Sequence, residues 1–299
     1  MTPRLQVETR VVVRSLLIGG SGALGPVLKS ALSTIGDVTV TQRGHPEQID
    51  TYFDAEAPVD SESFSRLRFS SYDVVVYAAG LTRLKDCESN PEKSRRVNHW
   101  APLRVFQSST SAGGFFVFVS SSAAAEYEGL TEDSAVQANL SGRRGASTYG
   151  LHKYLAEREL LQSESAQVLR LSKVAFDSWP LVANWKSRLE DGLEVAAFGD
   201  HNVSPVTPEV VETVTARAVA DRVRGLLGVS AVDQHSYLSI ARYMAIRLGV
   251  APELVVGTSA TSLGDERLIL QKGRLDTTRT ESLLGVRMPT TFDTVERYL

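Results

Sequence analysis

The run Ser15-Leu16-Leu17-Ile18-Gly19-Gly20-Ser21-Gly22-Ala23-Leu24-Gly25 sets the architecture expected of this chain. Ser15 to Ile18 is a short apolar run of the kind that forms a buried strand. Pro26-Val27-Leu28-Lys29-Ser30-Ala31-Leu32 follows with helical character. Between them the glycines fall as G-x-x-G-x-x-G at Gly19, Gly22 and Gly25. Strand, glycine turn and helix, in that order, are the context of a dinucleotide fingerprint. Glycine lets the backbone turn tightly and lets a pyrophosphate approach the amides. The helix N-terminus adds free N–H donors and partial positive charge.

Beyond this unit, strands and helices alternate. Val38-Thr39-Val40-Thr41 is β-branched and reads as a second strand. Asp73-Val74-Val75-Val76-Tyr77 runs as a third into the small-residue turn Ala78-Ala79-Gly80. Asn90-Pro91-Glu92-Lys93 starts or caps a helix near Val97-Asn98-His99-Trp100. Phe115 to Val119 is the next strand, ending in Ser120-Ser121-Ser122, and Gln167 to Leu171 another. This alternation predicts a doubly wound α/β fold, a parallel sheet with helices on both faces. Ligands of such sheets bind outside the carboxyl ends of the strands. The glycine turn, Ala78–Gly80, Ser120–Ser122 and the segment after Leu171 all fall at such ends. After Leu171 the pattern loosens: Trp179-Pro180, Asn184-Trp185 and Phe198-Gly199-Asp200-His201 read as loops and short elements. Helical runs return from Pro208 and from Leu238. The expected division is a Rossmann domain over 1–177 and a smaller substrate-binding domain over 178–299, with late segments returning to the main sheet.

Chemistry concentrates in Ser147-Thr148-Tyr149-Gly150-Leu151-His152-Lys153. Tyr154-Leu155-Ala156-Glu157-Arg158 continues it as a helix, so Tyr149 and Lys153, at i and i+4, share one face. A cation beside the phenol is expected to lower its pKa from the reference of about 10. Tyr149 would then exchange a proton near neutral pH.

Composition narrows the class. The 299 residues suit one large α/β domain, or a large domain with a small companion. A net charge of −3 argues against a general nucleic-acid binder. Cys87 is the single cysteine, which excludes an intramolecular disulfide and fits a reducing cytoplasm. His45, His99, His152, His201 and His235 show no metal-ligand spacing. No apolar run is long enough to span a bilayer, and the N-terminal stretch with Arg4, Glu8, Arg10 and Arg14 does not resemble a secretory signal.

Taken together, these residues resemble the extended short-chain dehydrogenase/reductase family, nearly from end to end. Within it the chain looks most like the sugar-nucleotide 4-ketoreductases of the dTDP-4-dehydrorhamnose reductase group. The narrower likeness rests on Asp73–Thr82, Asp86-Cys87-Glu88-Ser89-Asn90-Pro91-Glu92, Phe198–Thr207 and Leu275-Asp276-Thr277-Thr278-Arg279. The resemblance implies that Lys153 binds the nicotinamide ribose and that Tyr149 gives a proton to the carbonyl oxygen as hydride arrives. It also implies a Ser or Thr after the strand that orients the carbonyl, where the alignment favours Ser122, with Ser121 second. It implies a cofactor cradle of Gly19, Gly22, Ala23, Leu24, Gly25, Ala78, Ala79 and Gly80. Asp60 matches a family acid that contacts the adenine, and its setting, Val59-Asp60-Ser61, equally suits a helix N-cap.

Cofactor choice is read at the end of the second strand. NAD-preferring sites carry an acid there for the ribose hydroxyls. This chain has Thr41-Gln42-Arg43-Gly44, and Arg43 suits a 2′-phosphate, so NADP(H) is expected, with NAD(H) as the lesser choice. The expected substrate is a nucleoside-diphosphate sugar, and family likeness suggests a homodimer. The stretch Ser120-Ser121-Ser122-Ala123-Ala124-Ala125-Glu126-Tyr127 departs from the reductases' Ser-Thr-Asp-Tyr toward the sugar-nucleotide epimerases. Ala123-Ala124 lacks the Asp-Glu pair of the dehydratases, which disfavours loss of water. Arg143 and Arg144, ahead of Tyr149, are expected at the solvated surface. An epimerase holding NAD tightly and a non-catalytic, NADP-binding regulatory subunit are the rival readings.

Overall fold

Alternation along the strands assigns side chains to two faces of a sheet, and both faces are covered. The computed structural model describes residues 12–41, 52–57, 61, 64, 66–176 and 179–299. Its central sheet contains β1 (Val13–Ile18), β2 (Gly36–Val40), β3 (Val74–Tyr77), β4 (Phe115–Ser121), β5 (Ala166–Leu171) and a later strand, β8 (Gly225–Val229). All pair in parallel, in the order β2-β1-β3-β4-β5-β8. Every residue of β3 and β5 is buried, as befits strands covered on both sides.

Helices α1 (Gly25–Ser33), α2 (Leu84–Ser89), α3 (Pro91–Arg95), α4 (Ala101–Ser111), α5 (Ser122–Ala125), α6 (Glu132–Leu140) and α7 (Thr148–Leu160) fall among the first five strands. Leu17, Val74, Val76, Val117 and Leu169 point to one face, where Leu28 and Leu32 of α1 meet Val211 and Val214 of a later helix. Leu16, Ile18, Val75, Tyr77, Phe116 and Phe118 point to the other, against Val105 of α4 and Ala156 and Leu160 of α7. Between α3 and α4 the helix widens into a π turn over Arg96–Trp100. Pro102 has no N–H to return to the Asn98 carbonyl, which accounts for the break in the ladder.

The remaining chain holds α8 (Pro180–Glu190), β6 (Val195–Phe198), β7 (Asn202–Val203), α9 (Pro208–Ala220), β9 (His235–Ser236), α10 (Tyr237–Arg247), β10 (Val255–Thr258), α11 (Thr278–Leu284) and α12 (Thr291–Val295). Trp179, Trp185, Leu189, Val195, Ile240 and Met244 form a separate core between α8, α10 and the β6–β10 pair. Meanwhile α9 packs on α1, and β8 is the edge of the main sheet. Asn184-Trp185, expected as loop, lies inside α8. Pro180 occupies its first turn, and Val182, Trp185 and Leu189 recur at helical spacing on its buried face. Among the described residues no helix is long and apolar enough to cross a membrane.

Candidate active site

The strand order reverses between β1 and β3, and a cavity of about 700 Å³ opens there along the carboxyl ends of the strands. After β1 it is lined by Gly19, Ser21, Gly22, Ala23 and Leu24; after β3 by Ala78, Ala79, Gly80 and Thr82. β4 contributes Ser120, Ser121 and Ser122, and the end of β5 contributes Ser172, Lys173 and Val174. Tyr149 and Lys153 of α7 also face it.

The glycine turn has the shape that a pyrophosphate needs. Gly19 has φ +93, and a Cβ there would lie 2.4 Å from the Ala79 nitrogen. Its N–H donates to Thr41 Oγ1 at 3.3 Å, which ties the turn to the end of β2. Gly22 lines the cavity, but Gly25 does not. Gly25 is buried behind the turn, where a Cβ would sit 1.8 Å from the Gly20 oxygen. Its part is to let α1 pack against the turn. The N-terminus of α1 has no side-chain cap and no acid in its first turn, so its partial positive charge is unopposed.

Helix α7 is placed with care at its first turn. Ser147 caps it, its hydroxyl accepting from the Gly150 N–H. Glu88 of α2 accepts from the Thr148 N–H at 2.6 Å and from its hydroxyl at 2.7 Å, and pairs with Arg267 at 2.8 Å. Tyr127 donates to the Ser147 carbonyl at 2.8 Å. A Cβ on Gly150 would come 2.4 Å from the Ala123 oxygen. That glycine therefore allows α7 to lie against α5, and brings Tyr149 to the end of β4.

Two observations bear on the sequence expectations about the Tyr149 pair. First, the hydroxyl that hydrogen-bonds the Tyr149 phenol is that of Ser121, the second of the two serines expected to orient the carbonyl. β4 extends through Ser121 and α5 begins at Ser122, so Ser121 is the strand's last residue and its helix cap. Ser122 is buried nearby and still lines the cavity. Second, Lys153 does not lower the Tyr149 pKa. Burial pushes the phenol well above the usual tyrosine value, against the smaller effect of the Ser121 hydrogen bond. Burial likewise pushes Lys153 down to about 7, against the charge of Glu157. Lys153 Nζ donates to the Val119 carbonyl at 2.9 Å and stands 6.0 Å from the Tyr149 ring centroid. Desolvation therefore outweighs the charge pairing read from the i, i+4 spacing. The pocket holds a neutral phenol, the form that can donate a proton.

Several supporting groups were not read from the sequence. Asp54 lines the cavity beside Phe53 and Ala55, and accepts from the Glu56 N–H at 3.0 Å. Its signal is an acid directly after the pair Tyr52-Phe53. Arg43 and Asp60, the expected phosphate and adenine contacts, lie outside the described residues. Asn98, fully buried in the π turn, accepts from the Leu81 N–H at 3.2 Å and donates to its carbonyl at 3.0 Å, which fixes the segment after Gly80. Ser120 Oγ is buried in the lining without a partner among the described residues. Arg143 and Arg144, expected in solvent, are tied down: Arg143 donates to the Glu126 carbonyl, and Arg144 pairs with Asp200 at 2.7 Å.

A strap over residues 265–275 reaches the cavity through Leu270. Leu270 packs against Tyr149 and lines the cavity. The N–H groups of Gln271 and Lys272 both donate to Glu126 Oε1 at 2.6 Å. Those of Gly273 and Arg274 donate to Gln234 Oε1 at 3.0 and 3.1 Å.

Comparison with known proteins agrees with this arrangement. The family model described as RmlD substrate binding domain matches residues 13–299. A dTDP-4-dehydrorhamnose reductase from Yersinia enterocolitica is similar at 18% identity and TM-score 0.73, covering 96% of this chain and 100% of that one. A dTDP-4-dehydrorhamnose reductase from Bacillus anthracis, solved in complex with NADP, has 16% identity and TM-score 0.71, with 96% and 97% covered. RMD from Pseudomonas aeruginosa, complexed with NADPH, has 18% identity and TM-score 0.68, with 96% and 98% covered.

Proposed function

Since this chain belongs to the RmlD substrate binding domain family, we propose that it is a nicotinamide-dependent reductase of a keto group on a nucleoside-diphosphate 6-deoxysugar. The observation that carries this reading is a neutral, buried Tyr149, hydrogen-bonded by Ser121, in a cavity continuous with the glycine turn. NADP(H), when bound, supplies the hydride. Similar proteins are solved in complex with NADP, NADPH and NAD, which supports NADP(H) with NAD(H) also possible.

The chain's own groups divide the remaining work. The Gly19–Leu24 turn and the N-terminus of α1 receive the pyrophosphate. Asp54, on the cavity lining between β2 and β3, suits the adenosine end, the role that the family resemblance implies for Asp60. Lys153 takes the ribose from the floor of the cavity. Ser121 and Tyr149 donate hydrogen bonds to the substrate carbonyl, and these strengthen as negative charge grows on its oxygen. Tyr149 then releases its proton to that oxygen. A phenol with a raised pKa is a proton donor in waiting, which suits reduction.

The test is a screen of nucleoside-diphosphate keto-sugars against NADPH. The reading predicts one NADPH oxidised for each keto-sugar consumed. Interconversion of sugar epimers with no net loss of NADPH, or no reaction with any keto-sugar, contradicts it.

A further inference from the structure

Lys173 is a cation on the cavity wall that has no counter-charge among the described residues. Its backbone is held in place: its carbonyl accepts from the Val206 N–H at 2.9 Å, and Val174 bridges Val206. Its side chain lines the cavity, with the ammonium 5.8 Å from the ring of buried Trp179. Among the described residues that ammonium makes no hydrogen bond or ion pair. The other ionisable groups on the cavity all have partners. Lys153 donates to Val119, Tyr149 bonds Ser121, Glu56 pairs with Lys93 at 2.8 Å, and Asp54 accepts from Glu56.

The surroundings of Lys173 desolvate it enough to lower its pKa although the side chain opens to solvent, and no carboxylate opposes that effect. A cation on the cavity lining with no anion beside it among the described residues is available to pair with a charged group of the ligand. That ligand group is not the cofactor pyrophosphate. The glycine turn follows β1, whereas Lys173 follows β5, three strand spacings or about 14 Å away across the sheet. Lys173 instead lies beside Trp179, just before α8.

We infer that Lys173 is the receptor for an anionic group on the substrate, either a phosphate of its nucleoside diphosphate or a carboxylate on its sugar. The inference rests on the reductase reading, because it needs a sugar nucleotide beyond the nicotinamide end of the cavity.

The experiment measures affinities of dTDP, dTDP-glucose and UDP-glucuronate for the NADPH-loaded protein by calorimetry, with wild type, Lys173→Met and Lys173→Arg. Loss of one charge-assisted contact weakens binding about 10- to 100-fold. If the diphosphate is the anion, Lys173→Met weakens all three probes by that factor. If a sugar carboxylate is the anion, only UDP-glucuronate weakens. In either case Lys173→Arg stays within about threefold of wild type, and NADPH affinity is unchanged. Equal affinities of all three probes for wild type and Lys173→Met overturn the inference and leave the reductase reading standing. A loss of NADPH affinity instead would place the cation on the cofactor and overturn it too. Failure of the wild type to bind any of the three probes overturns the inference, while the keto-sugar screen against NADPH decides the reductase reading separately.

Discussion

The two walls of the cavity are built by different means. The wall on β1, β3 and β4 is made of strand ends and short turns packed closely on neighbouring backbone, with Thr41 and Asn98 side chains tying the turns. Gly19 donates to Thr41, and a side chain at Gly19 would strike Ala79. The opposite wall, over residues 265–275, has little regular structure and is suspended from distant side chains. Glu126 holds Gln271 and Lys272, Gln234 holds Gly273 and Arg274, and Glu88 holds Arg267. The first wall suits a ligand part that is constant, a dinucleotide. The second leaves room for one that varies, a sugar. The two walls meet at Tyr149, whose helix is capped by Glu88 from one side and touched by Leu270 from the other.

Perturbing one wall should therefore leave the other's ligand alone. Gly19→Val is the most severe test. Its Cβ has no space and its φ of +93 is strained for any branched residue, so NADPH affinity should fall about 100-fold or more. Titration of NADPH by fluorescence checks this, and an affinity within threefold of wild type would refute the cradle. Lys153→Met removes one donor and one charge from the floor. Turnover should fall about 100-fold at saturating NADPH and substrate, as read in steady-state assays.

Lys153 titrates at about 7 in the ligand-free protein, so its ammonium persists below that pH and is lost above it. The kcat/KM for NADPH should be level on the acid side and fall about tenfold per pH unit on the alkaline side. Lys153→Arg should remove that limb, because a guanidinium stays charged. A flat wild-type profile from pH 6 to about 9 contradicts the assignment. The smallest effect belongs to the far wall. Glu126→Gln weakens the acceptor for two strap N–H groups, so substrate KM should rise about fivefold while NADPH affinity holds. Equal losses for both ligands would erase the distinction between the walls.

The same contrast explains what could be read without a structure. The glycine turn, the four early strands and the Tyr149 helix depend on local patterns: apolar runs, φ requirements and an i, i+4 pair. These were legible. The choice between Ser121 and Ser122 was not, because it depends on whether the strand ends one residue earlier or later. The raised pKa of Tyr149 and the lowered one of Lys153 were not legible either, since spacing shows the neighbour but not the burial. Asn184-Trp185 read as loop because its helix is short and its partners, Ile240 and Met244, are far along the chain. The strap is legible to no local rule: its hydrogen bonds reach from Glu126 to Gln271 and from Gln234 to Gly273.

Reduction at this site depends on Tyr149 as the proton donor, and Tyr149→Phe isolates that role by removing one hydroxyl from a well-packed site. With a keto-sugar nucleotide that the wild type reduces, turnover should fall about 1,000-fold, within the range for loss of a positioned acid, while NADPH affinity stays within about twofold. A variant that keeps more than about a tenth of wild-type turnover would contradict the account.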